Sequence, residues 1–494
     1  MEYIIVQAGG KGTRLGHLTK NKPKALVPVE NLPMLFHLFR TYPGRRFLII
    51  ADYKKEVLRE YLSAFADVKY QVIEAEGTGT CSGIRQAMAH IPEGSPFMLV
   101  WSDLILPGNL KLPEKQGDYI GISTTFPCRW KYESGVFTEE RSTEHGVAGF
   151  FLFSEKSKLK DLPESGELVR WMQNKDMKFQ EISLAGTREF GLIEEYEKLA
   201  QEKCRPFNSI TIDKGRLTKK PVDAQGEKLA VRECAWYEKA KELHIRQLPR
   251  IYGTRPLNME YIQGKNIYEC QMNHEEKMQV LESLINALKQ LHRAGEILAD
   301  SFSMKEAYFK KTMERLGKIE DLVPFGREKR ICINGKECRN VFFYKRDLEK
   351  RLEKLTCQTF CFIHGDCTFS NLMLRDDKSP VLIDPRGYFG FTELYGDVRY
   401  DWAKLYYSIV GNYDRFNLKD FRLEIGEREV SLEIGSNHWE DMEEAFFALT
   451  GAQEHEIKLL HAVIWLSLTT YAWQDYDSIC GAFYNGLYYL EDLL

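Results

Sequence analysis

The sequence predicts an α/β protein built from more than one domain. Its 494 residues exceed what a single hydrophobic core usually holds, so two or three domains are expected. Near the N-terminus, an apolar run over 3–8 stops at two glycines, as a first strand entering a turn does. Further along, two alternating stretches, 209–215 and 216–222, predict a hairpin. A long helix is predicted to follow from about Gly226 to Leu243.

Composition limits the classes of function. Apolar residues make up 44% of the chain and charged residues 28%, which is ordinary for a globular protein. The formal net charge of −4 gives no reason to expect a nucleic-acid partner. No segment has the apolar length needed to cross a bilayer, and the start, MEYIIVQAGG, lacks the pattern of a signal peptide. We expect a cytoplasmic protein with no membrane insertion; the sequence does not indicate its oligomeric state.

The eleven cysteines are scattered and form no CxxC pair. Cys361, His364 and Cys367 lie close enough in sequence to suggest zinc. No second ligand pair follows at the spacing of a zinc site, so reduced thiols are the preferred interpretation.

A glycine-rich turn, Gly9-Gly10-Lys11-Gly12-Thr13-Arg14-Leu15, follows the first predicted strand. Glycines let a backbone approach an anion closely, and Lys11 and Arg14 supply positive charge. A plain glycine turn before a basic surface loop is the alternative. Two other phosphate motifs fit worse, because a Rossmann fingerprint needs a third glycine where Leu15 stands and a P-loop needs a terminal Gly-Lys-Ser/Thr.

The next segment, Lys22-Pro23-Lys24-Ala25-Leu26-Val27-Pro28-Val29, is followed by Pro33. A GGxGTRL loop and then PKxLxPV, in this order, resembles the nucleotidyltransferase family that condenses a nucleoside triphosphate with a sugar phosphate or phosphocholine. The resemblance covers about residues 1–200 and implies a Rossmann-like α/β sandwich with a mostly parallel sheet. It implies that Lys24 contacts a phosphate in the reaction centre. It also implies that the triphosphate is wrapped by Gly9, Gly10, Gly12, Thr13 and Arg14, with Arg14 and Lys24 as catalytic residues.

Two further stretches are similar to the same family. Glu76-Gly77-Thr78-Gly79-Thr80 resembles its base-recognising turn, which implies nucleotide contacts from Glu76, Gly77 and Thr78. The apolar stretch 97–101 is followed by Ser102-Asp103, and an acid at the carboxyl edge of a sheet suits Mg²⁺. In the family, the aspartate at the position of Asp103 holds the metal.

The sequence departs from the family at its second metal-binding aspartate. The matching stretch is 183–189, where Leu184 or Ala185 stands at the acid position. Glu181 or Glu189 is the candidate substitute. A helix over Phe190–Glu202 is predicted to close the domain.

The second half carries a different ordered motif. Thr359-Phe360-Cys361-Phe362-Ile363-His364-Gly365-Asp366 is followed by Asn371 and by Val381-Leu382-Ile383-Asp384. Phosphoryl transfer needs an acid to orient the acceptor hydroxyl and oxygen ligands for magnesium, and this cluster supplies both. With Gly396-Asp397-x-x-x-Asp401-x-Ala403 and Leu291-His292-x-x-Gly295, it resembles the aminoglycoside phosphotransferase and choline kinase family, which is protein-kinase-like.

This second resemblance implies a two-lobed α+β domain. Asp366 would be the catalytic base, and Asn371 and Asp384 would be metal ligands. His364 and Asp401 are expected to brace loops.

The residues that would bind ATP are not identified by a motif as clear as the one around Asp366. Lys219 or Lys220, on the second strand of the hairpin, would contact the ATP phosphates, with Glu233 as helix partner; an exposed charge is the alternative for each. Leu257-Asn258-Met259-Glu260-Tyr261 resembles the hinge that receives adenine, which implies a nucleotide contact from Glu260.

Trp465, Thr469 and Trp473 share one helical face by spacing. Such aromatics can form a cage for a quaternary ammonium group. Core packing is the preferred interpretation of this stripe.

Together the resemblances imply a bifunctional enzyme, with a nucleotidyltransferase domain over 1–203 and a small-molecule kinase domain over 204–494. The kinase would use ATP and Mg²⁺ to phosphorylate a small hydroxyl compound, either a sugar or a choline-like amino alcohol. The transferase, also with Mg²⁺, would couple the product to a nucleoside monophosphate from CTP, UTP or dTTP, making an activated precursor for surface polysaccharide. The alternative is a single-activity kinase whose N-terminal domain is a degenerate, nucleotide-binding regulator.

Overall fold

A computed structural model describes residues 1–198, 208–222 and 224–494. Its contacts divide the chain into two compact units, the first comprising residues 1–200 with 474–477 and the second the remainder. The predicted boundary between residues 203 and 204 lies outside the described residues. The sequence did not predict that 474–477 belongs to the first unit. No helix in the described part of the chain is long and apolar enough to span a membrane.

The first unit is an α/β sandwich. Its described helices are α1 (Met34–Thr41), α2 (Lys55–Phe65), α3 (Thr80–Met88), α4 (Leu168–Asn174) and α5 (Ile193–Glu197). Its described strands are β1 (Tyr3–Gln7), β2 (Pro28–Val29), β3 (Leu32–Pro33), β4 (Arg46–Ala51), β5 (Lys69–Glu74), β6 (Phe97–Trp101), β7 (Leu104–Ile105), β8 (Tyr119–Ser123), β9 (Lys131–Glu133), β10 (Val136–Thr138), β11 (Gly146–Phe153), β12 (Gln180–Ser183) and β13 (Arg188–Glu189).

The main sheet of this unit is mixed, whereas the sequence predicted a mostly parallel sheet. Its order is β10-β9-β11-β6-β1-β4-β5, and β8 pairs with β11 and β12. Strands β6, β1, β4 and β5 run parallel, whereas β11 pairs antiparallel with both β6 and β8. The parallel centre is apolar on both faces, as in Ile4, Ile5 and Val6, because helices cover it. The carboxyl ends of these parallel strands meet at one edge.

Around 190 the structure differs from the predicted helix Phe190–Glu202. Arg188–Glu189 is a strand paired with β7, and the helix is the short α5. The end of the predicted helix, 199–202, lies outside the described residues.

The second unit begins with the predicted hairpin and helix. The hairpin joins an antiparallel sheet of order β14-β15-β17-β16. The described strands of this unit are β14 (Asn208–Asp213), β15 (Arg216–Pro221), β16 (Ile251–Thr254), β17 (Leu257–Glu260), β18 (Gly264–Asn266), β19 (Glu296–Leu298), β20 (Arg330–Ile333), β21 (Lys336–Arg339), β22 (Thr359–Phe362), β23 (Leu372–Arg375), β24 (Pro380–Leu382), β25 (Tyr388–Phe389), β26 (Thr392–Glu393), β27 (Tyr395–Gly396), β28 (Phe421–Ile425) and β29 (Glu429–Ile434).

A larger, mainly helical part follows that sheet, so the unit has the two lobes the sequence predicted. A π-helical turn, Glu306–Lys310, connects α8 to α9. The described helices are α6 (Ala224–Glu242), α7 (His274–Arg293), α8 (Ser301–Lys305), α9 (Lys311–Gly317), α10 (Lys345–Leu352), α11 (Val398–Ile409), α12 (Tyr413–Asn417), α13 (Glu443–Thr450), α14 (Glu454–Leu468) and α15 (Tyr476–Leu490).

Of the stripe Trp465, Thr469 and Trp473, the first two are part of the core of this lobe and Trp473 is half-buried. The side chains of Trp465 and Thr469 are buried, and the Trp465 indole N–H donates to Nε2 of His461 at 3.0 Å. This agrees with the core-packing interpretation of the stripe.

Candidate active sites

The glycine turn of the first unit lies at the carboxyl end of β1, and Asp103 lies at the carboxyl end of the adjacent β6. Gly12 has a φ of 65°, and a Cβ there would lie 3.0 Å from Cβ of Lys24. A glycine is therefore needed at this position for the loop to pass so close to Lys24. Lys24 in turn forms an ion pair with Asp103. The exposed Arg14 follows in the 3₁₀ turn Thr13–Thr19.

Glu189 supplies a second carboxylate at this point. Its Oε1 lies 3.8 Å from Nζ of Lys24, because β13 pairs with β7 directly after Asp103. Burial and the charge of Asp103 raise the pKa of Glu189 to about 7. Leu184 is buried and Glu181 is exposed on β12, so of the two candidate substitutes only Glu189 joins the cluster.

Oδ1 of Asp103 is buried and accepts no hydrogen bond from the described residues. A buried carboxylate oxygen without a donor is costly, and a hard cation would satisfy it. Asp103 and Glu189 thus fit a magnesium ion. No group of three or more His, Cys, Asp or Glu side chains in the described ranges has the arrangement of a metal site.

The turn 76–79 lies at the carboxyl end of β5, on the edge that also carries the glycine loop. The N–H of Gly77 donates to Oγ of Ser82 at 2.8 Å, and that of Thr78 to Oγ of Ser165 at 3.2 Å. Glu76 is exposed. The turn is thus fixed by serine hydroxyls and leaves the Glu76 carboxylate open to a ligand.

In the second unit, Asp366 and Asn371 are in direct contact. Nδ2 of Asn371 donates to Oδ2 of Asp366 at 2.9 Å, which leaves the Asn371 amide oxygen as the remaining acceptor of that side chain. The other oxygen of Asp366 lies 3.0 Å from Nζ of Lys404, a buried lysine of α11. Asp366 is therefore held from both sides.

Asp401 braces the loop that carries Asp366. It is fully buried and accepts the backbone N–H groups of His364 and Gly365 at 2.9 and 2.7 Å. Nε2 of His292, from α7, lies 2.9 Å from the same carboxylate. His364 itself contacts the Ile383 carbonyl through Nε2 at 2.9 Å. Asp401 and His364 thus have the bracing positions expected of them.

Lys219 lies between two carboxylates. Its Nζ is 2.8 Å from Oε2 of Glu233 and 2.8 Å from Oδ1 of Asp384. Burial raises the pKa of Glu233 to about 7. The N–H of Ile383 donates to the Asn371 carbonyl at 3.0 Å, which places Asp384 beside Asn371. The oxygen ligands of these two side chains fit a magnesium ion.

Two residues predicted to contact ATP, Lys220 and Glu260, have other surroundings. Lys220 is exposed, because neighbouring residues of β15 point to opposite faces and Lys219 occupies the inner one. Both carboxylate oxygens of Glu260 accept from Arg375, at 2.6 and 2.9 Å, and its N–H donates to the Arg250 carbonyl. The Glu260 carboxylate is thus engaged by Arg375 at the end of β17, and a nucleotide contact from this residue stays a prediction.

Family comparisons agree with this division. Residues 4–110 match the family described as MobA-like NTP transferase domain, and residues 230–426 match the phosphotransferase enzyme family. The chain carries a nucleotidyltransferase domain and a phosphotransferase domain.

Similar proteins include nucleotidyltransferases of glucose 1-phosphate. The UTP–glucose-1-phosphate uridylyltransferase AglF of Haloferax volcanii is 32% identical over 115 residues, which is 22% of this chain and 45% of that protein. The glucose-1-phosphate cytidylyltransferase of Salmonella typhimurium is 34% identical over 154 residues, 25% of this chain and 60% of that protein. The chain therefore spans about half the length of these relatives.

Solved structures that the chain matches include the CTP:phosphocholine cytidylyltransferase of Streptococcus pneumoniae, at 18% identity and a TM-score of 0.33. It covers 40% of this chain and 96% of its own. The inositol-1-phosphate CTP transferase of T. maritima has 15% identity and a TM-score of 0.34, covering 41% and 93%.

Some residues of the phosphotransferase domain have no motif that could have predicted them. Lys404 contacts the proposed base from a helix 38 positions further along, where it reads as an ordinary basic residue. Arg386 follows Asp384 closely, and its N–H donates to the His364 carbonyl at 2.8 Å. For Arg386, adjacency to the Asp384 motif was the available signal.

Proposed function

We propose that the chain is a bifunctional enzyme that phosphorylates a small hydroxyl compound with ATP and then transfers a nucleoside monophosphate to the product. The observation that carries the proposal is that each domain holds a lysine between two carboxylates: Lys24 with Asp103 and Glu189, and Lys219 with Glu233 and Asp384. Such clusters suit the binding of phosphates and Mg²⁺ together, since lysine neutralises phosphate and carboxylates bind the metal. Both reactions would take place in the cytoplasm, where nucleoside triphosphates are available.

In the phosphotransferase domain, Asp366 would accept the proton of the acceptor hydroxyl. The acceptor oxygen bonds to the γ-phosphorus of ATP while the bond from that phosphorus to the β–γ bridging oxygen breaks, and ADP leaves. Lys404 and Asn371 contact the two oxygens of the Asp366 carboxylate and hold it in place. Lys219 would bind the ATP phosphates.

In the nucleotidyltransferase domain, an oxygen of the phosphorylated acceptor would attack the α-phosphorus of a second triphosphate. The bond from that phosphorus to the α–β bridging oxygen breaks, and pyrophosphate leaves. Arg14 and Lys24 would offset the negative charge that gathers on the phosphate oxygens. Gly9, Gly10, Gly12 and Thr13 would donate backbone N–H groups to the triphosphate, and the turn 76–78 would contact the base.

Magnesium would be held by Asp103 and Glu189 in one domain and by Asn371 and Asp384 in the other. When bound, it supplies charge neutralisation on the phosphate oxygens. The presence of Glu189 beside Asp103 favours an active transferase over the alternative of a degenerate regulatory domain, because that alternative depended on the missing acid at Leu184.

The proposed substrates belong to the classes that the two family resemblances imply. The acceptor is a sugar or an amino alcohol, the second triphosphate is CTP, UTP or dTTP, and the product is an activated precursor for surface polysaccharide. The glucose 1-phosphate in the names of the uridylyltransferase and cytidylyltransferase relatives supports a sugar acceptor.

Separating the two activities by mutation tests the proposal. Asp366→Ala should reduce ATP-dependent phosphorylation by ~10²–10⁴-fold, the usual contribution of a general base, and leave pyrophosphate release intact. Asp103→Ala and Arg14→Ala should instead reduce pyrophosphate release and leave ATP-dependent phosphorylation intact. The measurements are ADP formation with a panel of sugars and amino alcohols, and pyrophosphate release with each nucleoside triphosphate. Each variant is the folding control for the other domain.

Phosphorylation within a few-fold of wild type in Asp366→Ala would contradict the assignment of the base. Unchanged magnesium dependence of pyrophosphate release in Asp103→Ala would place the metal elsewhere.

A further inference from the structure

A cavity of about 360 Å³ lies in the phosphotransferase domain, between the π-helical turn with α9 on one side and the segment after Asp384 on the other. Its volume is in the range of small-molecule sites. Four basic side chains and two acidic ones line it, namely Lys311, Arg315, Lys318, Arg386, Glu306 and Glu314.

The three inner basic side chains donate to hydroxyl groups and to no carboxylate of the described residues. The Arg386 guanidinium donates to the hydroxyls of Tyr388 and Tyr400, both at 3.0 Å. Arg315 donates to Oγ of Ser467 at 2.9 Å, and Lys311 lies 3.4 Å from the Tyr388 hydroxyl. Within the described residues, none of the three forms an ion pair with an acidic side chain. No carboxylate is therefore paired directly with these three side chains, although Glu306 and Glu314 share the cavity lining.

The charge of Arg386 acts on two neighbouring side chains. Burial and the proximity of Arg386 lower the pKa of Lys311 to about 7. The charge of Arg386 also lowers the pKa of the Tyr388 phenol to about 7. Half-buried cations that repel one another are stabilised when an anion binds among them, and the planar fork of arginine suits a carboxylate or phosphate.

The cavity lies next to the proposed catalytic base. Arg386 is bonded through its backbone to His364, and a Cβ on Gly365 would lie 2.9 Å from Cβ of Arg386. Tyr400 lines the cavity, and its ring centre is 6.0 Å from Nζ of Lys404, which pairs with Asp366. A molecule whose hydroxyl faces Asp366 can therefore extend into the cavity.

We propose that the acceptor of the phosphotransferase domain is an anionic hydroxyl compound, and that this cavity binds its carboxylate or phosphate group. The inference rests on the proposed kinase activity and narrows its substrate class. A cationic amino alcohol such as choline would meet a positive field here, so the acceptor differs from the amines that the resemblance to choline kinases suggested. Glu306 and Glu314, at the rim, would orient the rest of the acceptor.

Binding of simple anions tests the cavity directly. The full chain, saturated with Mg²⁺ and ADP to occupy the ATP site, is titrated calorimetrically with inorganic phosphate and with succinate. Lys311→Gln and Arg315→Gln should each weaken binding tenfold or more. Lys310→Gln, which changes an exposed lysine of the adjacent turn, should leave it unchanged.

Because Arg315 also holds Ser467, Lys318→Gln serves as a second test: Lys318 lines the cavity but is exposed, so its variant should weaken anion binding without lowering stability. Thermal unfolding is recorded for all variants. The inference is overturned if neither anion binds the wild type, or if all variants bind as the wild type does.

Turnover assays distinguish a carboxylate from a phosphate as the anionic group of the acceptor. ADP formation is measured with glycerol, glycerate and glycerol 3-phosphate, with glucose, glucuronate and glucose 6-phosphate, and with choline. The anionic members should have at least tenfold higher kcat/KM than their neutral counterparts, and Lys311→Gln should remove this preference. Preference for the carboxylates or for the phosphates identifies the anion.

Asp366-dependent turnover that favours neutral or cationic acceptors would overturn this inference and leave the kinase proposal standing. Turnover that does not depend on Asp366 would instead contradict the kinase proposal. If no member is phosphorylated, the anion titration decides.

Discussion

Glu189 and Asp103 both lie near the Lys24 ammonium, and their different surroundings give them different acidities. The Lys24 charge lowers the pKa of Asp103 against its burial, whereas burial and the charge of Asp103 raise that of Glu189 to about 7. Two carboxylates this close repel each other when both are ionised. A divalent cation would remove that repulsion, which is why we assign both residues to magnesium.

Glu189→Gln should therefore impair the nucleotidyltransferase reaction. Glutamine is isosteric with the neutral acid, so the fold is expected to hold, but it cannot become a charged ligand. We expect a loss on the order of 10²-fold in pyrophosphate release, about 2.7 kcal/mol of transition-state stabilisation. Glu181→Gln is the matched control, because Glu181 is exposed on β12. Equal activity of the two variants would exclude Glu189 from the site.

At the residue scale, sequence reasoning found candidates but could not always choose among them. The spacing left Glu181 and Glu189 equivalent, because the pairing of β13 with β7 that selects Glu189 is a tertiary feature. Likewise, strand alternation separates Lys219 from Lys220 only once the inner face of β15 is known. Lys311 could not be predicted at all, since no motif connects α9 to the catalytic loop.

At the scale of elements, two helices position the loop that carries Asp366, the proposed base of the phosphotransferase domain. Asp401 on α11 accepts two loop N–H groups, and His292 on α7 contacts the same carboxylate. A buried N–H that loses its acceptor costs roughly 1–3 kcal/mol.

Asp401→Asn should show how strongly the loop depends on the Asp401 carboxylate. The amide presents one donor where the loop needs an acceptor, so a buried donor is left unpaired. We expect thermal destabilisation of the phosphotransferase domain by roughly 1–3 kcal/mol together with a fall in phosphorylation, while pyrophosphate release persists. Asp321→Asn, at an exposed surface pair, should change stability by less than about 0.5 kcal/mol. Wild-type stability of Asp401→Asn would mean that the loop is held by other contacts.

Elements with a strong local pattern were predictable. The hairpin of β14 and β15 and the long helix after it follow from alternation and length. The helix predicted from Phe190 was wrong at its start, because pairing with β7 draws 188–189 into a strand and leaves α5 only from Ile193. The antiparallel return of β11 beside β6 was also missed, since an apolar run does not show its direction in a sheet.

At the scale of the whole molecule, two phosphate chemistries on one chain call for a reason to be joined. A kinase of this kind makes a phosphomonoester, and a nucleotidyltransferase of this kind consumes one. Linkage raises the local concentration of the intermediate only when the sites are near or the product escapes slowly. We therefore infer shared chemistry and not channelling, and the order of the domains along the chain says nothing about the order of the reactions.

The last prediction is that the two reactions are consecutive. The full chain, given ATP, a second nucleoside triphosphate and its best unphosphorylated acceptor, should form a nucleoside-diphosphate-linked acceptor, detected by mass spectrometry. Its formation should stop with either Asp366→Ala or Asp103→Ala, since each removes one step. Adding the chemically made phosphomonoester should restore product in the Asp366 variant and not in the Asp103 variant. If the transferase ignores that phosphomonoester and prefers an unrelated phosphate, the reactions are not consecutive, although each domain keeps its own chemistry.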